Sequence, residues 1–68
     1  MERATLSNRE RQVLILICEG HSTKQIAQLL GISFKTAVCH RSHILRKLNL
    51  HETASLVRYA IRQGIVSP

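Results

Sequence analysis

The chain has 68 residues, and its only proline is the last of them. No earlier position loses a backbone donor or kinks a helix for that reason. Aromatic residues are nearly missing, with one tyrosine, one phenylalanine and no tryptophan. Successive unpaired bases would need a broader platform of rings to stack on. Acidic residues are scarce too: four Asp and Glu stand against ten Lys and Arg, for a formal charge of +6. There are no paired carboxylates, no activated nucleophile and no phosphate-cradling glycine loop, which argues against an enzyme or a small-molecule substrate. The two cysteines, Cys18 and Cys39, lie far apart and suit a reducing compartment. No apolar run approaches the roughly 20 residues that span a bilayer, and no signal-like segment opens the chain. The expectation is a cytoplasmic protein without a membrane partner.

What the chain does have is apolar content, 44% of its residues, enough to argue against disorder. A domain this small buries only about 60% of its unfolded surface, so it makes a core but no deep cleft. Ser7-Asn8-Arg9-Glu10 fits the S-x-x-E box, in which hydroxyl and carboxylate satisfy each other's orphan backbone donors. The apolar run Val13 to Cys18 follows it, and Gly20 supplies a helix end. Ser22-Thr23-Lys24-Gln25 opens a second helix with the same box, closed by Gly31. Ser33 caps a third, and Thr53 or a neighbour opens a fourth that stops at Gly64. No stretch alternates with the period of a strand. The expected fold is all-α, a four-helix bundle with helices at about 8–19, 23–30, 34–49 and 53–63, forming one domain over 1–68 without linker or repeat.

Only Gly31-Ile32-Ser33 separates the second helix from the third, and so short a turn forces a steep crossing, that of a helix-turn-helix. Ala27 allows close approach, Ile26 and Leu30 give the short helix its apolar face, and Ile32 plugs the turn. At about 100° per residue, the third helix turns Ala37, Ile44 and Leu48 to one side, with Arg41 and Leu45 beside them. Lys35, Val38, Cys39, Ser42 and Arg46 take the other side. With so basic a chain, that second face suits a polyanion. In this motif it is the face that enters the major groove of double-stranded DNA.

Leu6-Ser7-x-Arg9-Glu10-x-x-Val13-Leu14, Gly20-x-Ser22-x-Lys24-x-Ile26-Ala27-x-x-Leu30-x-Ile32-Ser33, Thr36-Ala37-x-x-His40 and Ile44-x-x-Lys47-Leu48 resemble the LuxR-type DNA-binding domain of quorum-sensing regulators and NarL/FixJ response regulators. The resemblance covers nearly the whole chain. It implies a promoter-binding transcription regulator that forms a homodimer on inverted half-sites through the fourth helix, with RNA polymerase as a further candidate partner. Val38 stands where the family often has a groove-reaching lysine, and Thr53 where it often has an arginine.

These readings assign base contacts to Lys35, Val38, Cys39, Ser42 and Arg46. Phosphate contacts are assigned to Thr23, Lys24, Thr36, His40, Arg41, His43 and Lys47; for Lys47 the competing reading is a pair with a carboxylate. Glu10 is read as structural, and Phe34 and Tyr59 as packing residues. Ala54, Arg58 and Ile61 form a strip of the fourth helix left for a symmetry mate, since its apolar arc exceeds the roughly 100° that one core covers. No cofactor is expected. Cys18-x-x-His21 with Cys39-x-x-x-His43 has zinc-ligand types, but the first pair flanks a helix end and the second shares the groove-facing side. A protein-interaction domain of the same fold is the remaining rival.

Overall fold

A computed structural model describes residues 5–67 as four helices and no strand: α1 (Asn8–Cys18), α2 (Thr23–Leu30), α3 (Phe34–Leu48) and α4 (Thr53–Arg62). Each expected helix is present, with the C-terminal ends of α1, α3 and α4 one residue earlier than the sequence suggests. Both reciprocal boxes form. Ser7 accepts from the Glu10 amide at 3.1 Å while the Glu10 carboxylate accepts from the Ser7 amide at 2.9 Å. Ser22 and Gln25 repeat the arrangement at 3.1 and 2.8 Å. Ser33 caps α3 through the Thr36 amide at 3.0 Å. The fourth start differs: Glu52 is the N-cap and gives no side-chain bond, while Thr53 is already the first helical residue.

All four helices end alike. The residue after each helix, or one further on, turns left-handed, and two back-bonds close the last turn. At α2 these run from the Gly31 and Ile32 amides to the Gln28 and Ala27 carbonyls, at 3.3 and 3.0 Å. Gly31, at φ 66°, adopts this conformation without the clash a Cβ would bring. At α3 the same role falls to Asn49, at φ 55°, the one non-glycine with positive φ among the described residues. Asparagine tolerates the left-handed region better than most residues. That is why α3 stops at Leu48.

The core is Leu6, Val13, Leu14, Ile17, Ile26, Ile44, Leu56 and Ala60, with Ala27 and Ala37 also buried. α1 lies at the centre and packs against the other three helices, and α2 packs against α3. Leu30, Leu45, Leu48 and Tyr59 are half-buried against this core. Phe34 is not a packing residue as expected from sequence: it is 57% exposed. It occupies the first position of α3, ahead of Ala37, where the buried stripe of that helix begins. No helix among the described residues is long and apolar enough to cross a membrane.

Candidate nucleic-acid interface

α3 presents two sides of opposite character. Ala37 is 1% exposed and Ile44 fully buried, whereas Lys35, Val38, Cys39, Ser42 and Arg46 are all exposed. The five residues assigned to base contacts therefore share one solvent-facing strip. From Gly20 to His51 there is no acidic residue, so α2 and α3 offer Lys24, Lys35, Arg41 and Arg46 without a counter-charge from their own segment.

The residues assigned to phosphate divide into three situations. Lys24 and His43 are exposed, and His40 is half-buried on a flank of α3. Thr36 is exposed with its hydroxyl bonded to that of Ser33 at 2.8 Å, so it is held against the N-cap. Thr23 and Arg41 line one cleft of about 270 Å³, together with Ser22 and Thr53. Two helix N-termini, those of α2 and α4, open on it, each with unpaired amides and the positive end of its dipole. The Arg41 guanidinium donates to the Thr53 hydroxyl at 2.5 Å, which ties α3 to the start of α4.

Lys47 is engaged elsewhere. Its ammonium donates to Glu10 Oε1 at 2.8 Å and to the Thr5 carbonyl at 3.3 Å, on the α1 side of α3. This is the carboxylate pairing that the sequence reading set beside a phosphate contact. Glu10 is 6% exposed. The Lys47 bond, followed by the Ser7 amide bond, holds its carboxyl below the ordinary carboxylate range against the opposing effect of burial. One carboxylate thus caps α1 and fastens the far end of α3. Which carboxylate Lys47 pairs with escaped the sequence reading, although a signal was present. Glu10, Val13, Leu14 and Ile17 fall at i, i+3, i+4 and i+7, so the acid lies on the buried stripe and needs a cation.

On α4, Leu56 and Ala60 are fully buried while Ala54, Arg58 and Ile61 are exposed, Ile61 to 36%. The Arg58 guanidinium reaches back to the Ser55 hydroxyl at 3.3 Å. The thiols and imidazoles with zinc-ligand spacing are dispersed. Cys18 is half-buried at the end of α1, its thiol pushed up by burial and by the neighbouring Glu19 carboxylate. His21 lies 3.6 Å from Glu19, and Cys39 is on the exposed strip of α3. Among the described residues no three His, Cys, Asp or Glu side chains converge to hold a metal ion.

Residues 4–60 match the family described as bacterial regulatory proteins, luxR family. Among curated relatives, the transcriptional regulatory protein MctR of Rhizobium johnstonii is 50% identical over 62 residues, 91% of this chain and 29% of MctR. The transcriptional regulatory protein TdiR of Thauera aromatica is 48% identical over 59 residues, 87% of this chain and 26% of TdiR. The oxygen regulatory protein NreC of Staphylococcus carnosus is 43% identical over 61 residues, 90% of this chain and 28% of NreC. The chain spans less than a third of the length of each of these relatives.

Proposed function

This chain belongs to the luxR family of bacterial regulatory proteins, a family of DNA-binding transcription regulators and not of enzymes, and from that premise we propose that it reads promoter sequence in the cytoplasm by laying α3 in the major groove. The observation that carries the reading is the exposed strip Lys35, Val38, Cys39, Ser42 and Arg46, backed by fully buried Ala37 and Ile44. At 15 residues, α3 is about 22 Å long. A major groove about 12 Å wide admits such a helix, and each base pair presents a distinct pattern there.

In this reading Lys35 and Arg46 approach guanine O6 and N7, Val38 meets a thymine methyl, and Cys39 and Ser42 fill the short reach between them. Lys24, Thr23, Thr36, His40, Arg41 and His43 hold phosphates. α2 then crosses the backbone with its N-terminus toward it, where amides and dipole favour an anion. Lys47 serves as the tie between α1 and α3, and is not in the phosphate set. Two copies occupy inverted half-sites about one helical turn apart, with Ala54, Arg58 and Ile61 of α4 facing their symmetry equivalents. Because Arg58 would meet its own copy, the free domain is mostly monomeric and pairs when DNA aligns it. RNA polymerase is the further partner of a promoter-bound regulator.

A salt titration tests the proposal. With Lys24 and Arg41 each neutralising a phosphate, about two such contacts per domain give a log-log slope near −2, doubled for a pair of domains. Affinity for duplex DNA that is indifferent to salt would rule it out and favour a protein-interaction domain of the same fold.

A further inference from the structure

Four large apolar side chains of the described residues are substantially exposed: Leu29, Phe34, Val38 and Ile61. Two of them, Phe34 at 57% and Val38 at 39%, lie one turn apart on α3. Neither local structure nor the core accounts for the phenyl ring. The start of α3 is secured by Ser33, whose hydroxyl accepts from the Thr36 amide at 3.0 Å. The two positions that staple a helix entry, the residue before the N-cap and the fourth helical residue, are Ile32 and Ala37, not Phe34. The buried stripe of α3 begins at Ala37.

We propose that Phe34 is a specificity-determining residue, its ring acting with Val38 to read the 5-methyl groups of thymines about two base-pair steps apart. The proposal rests on the major-groove reading above and extends it to a residue outside the five assigned there. Phe34 and Val38 are four residues apart, so they point within about 40° of each other and are separated by about 6 Å along the axis. Base pairs rise about 3.4 Å, so the two side chains span about two steps of the duplex. The N-terminal residues of a recognition helix are those that approach base edges. The thymine methyl is the apolar group displayed on the major-groove edge, and phenylalanine is a side chain suited to contact it. The ridge flanks Lys35 and Ser42, so it continues the polar strip instead of forming a separate surface.

The test begins with a duplex selected from a random library by the unaltered protein. Each thymine in it is then replaced singly by uracil, which removes the methyl and keeps every hydrogen-bonding group. At one or two thymines per half-site, about two steps apart where there are two, uracil should weaken binding about fourfold each, the equivalent of one buried methyl. Phe34→Ala should bind the thymine duplex more weakly and lose the discrimination at one of those positions, while Phe34→Leu keeps part of it. Because the ring is more than half exposed, both variants should keep the helical circular dichroism and unfolding midpoint of the parent. Either of these results overturns the inference and leaves DNA binding standing: indifference to uracil at every position of a specifically bound site, or full discrimination retained by Phe34→Ala. Failure to select any duplex overturns both readings. An undiminished affinity of Phe34→Ala for DNA would also overturn it and direct the ring toward a protein partner.

Discussion

Glu10 joins two parts of the fold, because one carboxylate closes the α1 cap and holds Lys47 of α3. Glu10→Gln keeps an oxygen that accepts from the Ser7 amide but removes the charge facing Lys47. The Lys47 side chain is 42% exposed against 8% for Glu10, so solvent screens the pair and its loss costs about 0.5–1 kcal/mol. Glu10→Ala removes the acceptor as well, adding about 1 kcal/mol for half of a capping box. In a domain this size each kcal/mol moves the melting midpoint by about 4–8 °C. The pH dependence separates this account from a packing effect. An unfolded glutamate titrates near 4.3, and the folded carboxyl lies below its ordinary value because the Lys47 and Ser7 bonds favour the charged form. The stabilisation is therefore complete above the unfolded value and disappears as pH falls through the folded one. Urea unfolding of parent and Glu10→Gln, followed by circular dichroism from pH 7 downward, should show a gap that closes on acidification. A gap of constant size across that range, or a Gln variant as stable as the parent at pH 7, would refute the reasoning.

Further outcomes follow from the placement of the other charges and of α4. Lys24→Ala should weaken binding to all duplexes alike and lower the salt slope by about one, because a phosphate contact positions without specifying. Lys47→Ala should leave that slope unchanged yet lower stability by about 1–3 kcal/mol, since it strands the buried Glu10 carboxylate; a reduced slope would return Lys47 to the phosphate set. Val38→Lys should move the selected motif toward guanine at one position, and identical motifs from both proteins would mean that α3 does not enter the groove as described. Ile61→Glu should spare a single half-site and weaken binding to the inverted pair; equal loss on both would make Ile61 ordinary core, and no loss on either would remove α4 from the contact.

The fold was legible because its punctuation is chemical. Ser7, Ser22 and Ser33 announce their helices through hydroxyls that can reach backbone amides, and Gly20 and Gly31 announce ends that need positive φ. Asn49 sends a weaker signal, since asparagine is only one of several residues that visit the left-handed region. The exact end is blurred even before glycine: α1 and α4 stop one residue short of the expected end because Glu19 and Gln63 already serve as caps. The start of α4 was ambiguous for a related reason. Glu52 caps it without a side-chain bond, so nothing in its chemistry marked the position, while the nearby Thr53 hydroxyl is drawn into the tie with Arg41.

Within the site, periodicity separated the centre of the α3 strip from the core but said little of its edges. A residue opposite the buried stripe is exposed whatever packs nearby, which fixes Lys35, Cys39, Ser42 and Arg46. A residue on the flank depends on which helix arrives there. Lys47 is a flank residue, and α1 brings it Glu10 from 37 positions away; Arg41 is another, and α4 brings it Thr53. Phe34 is a flank residue at the very end, where no helix arrives. Its helical angle alone would place it beside Leu45, which packs against the core, but it sits ahead of Ala37 and beyond the layer that buries the rest of α3. Position along the axis, which a helical projection discards, decides that the one phenylalanine of the chain faces outward.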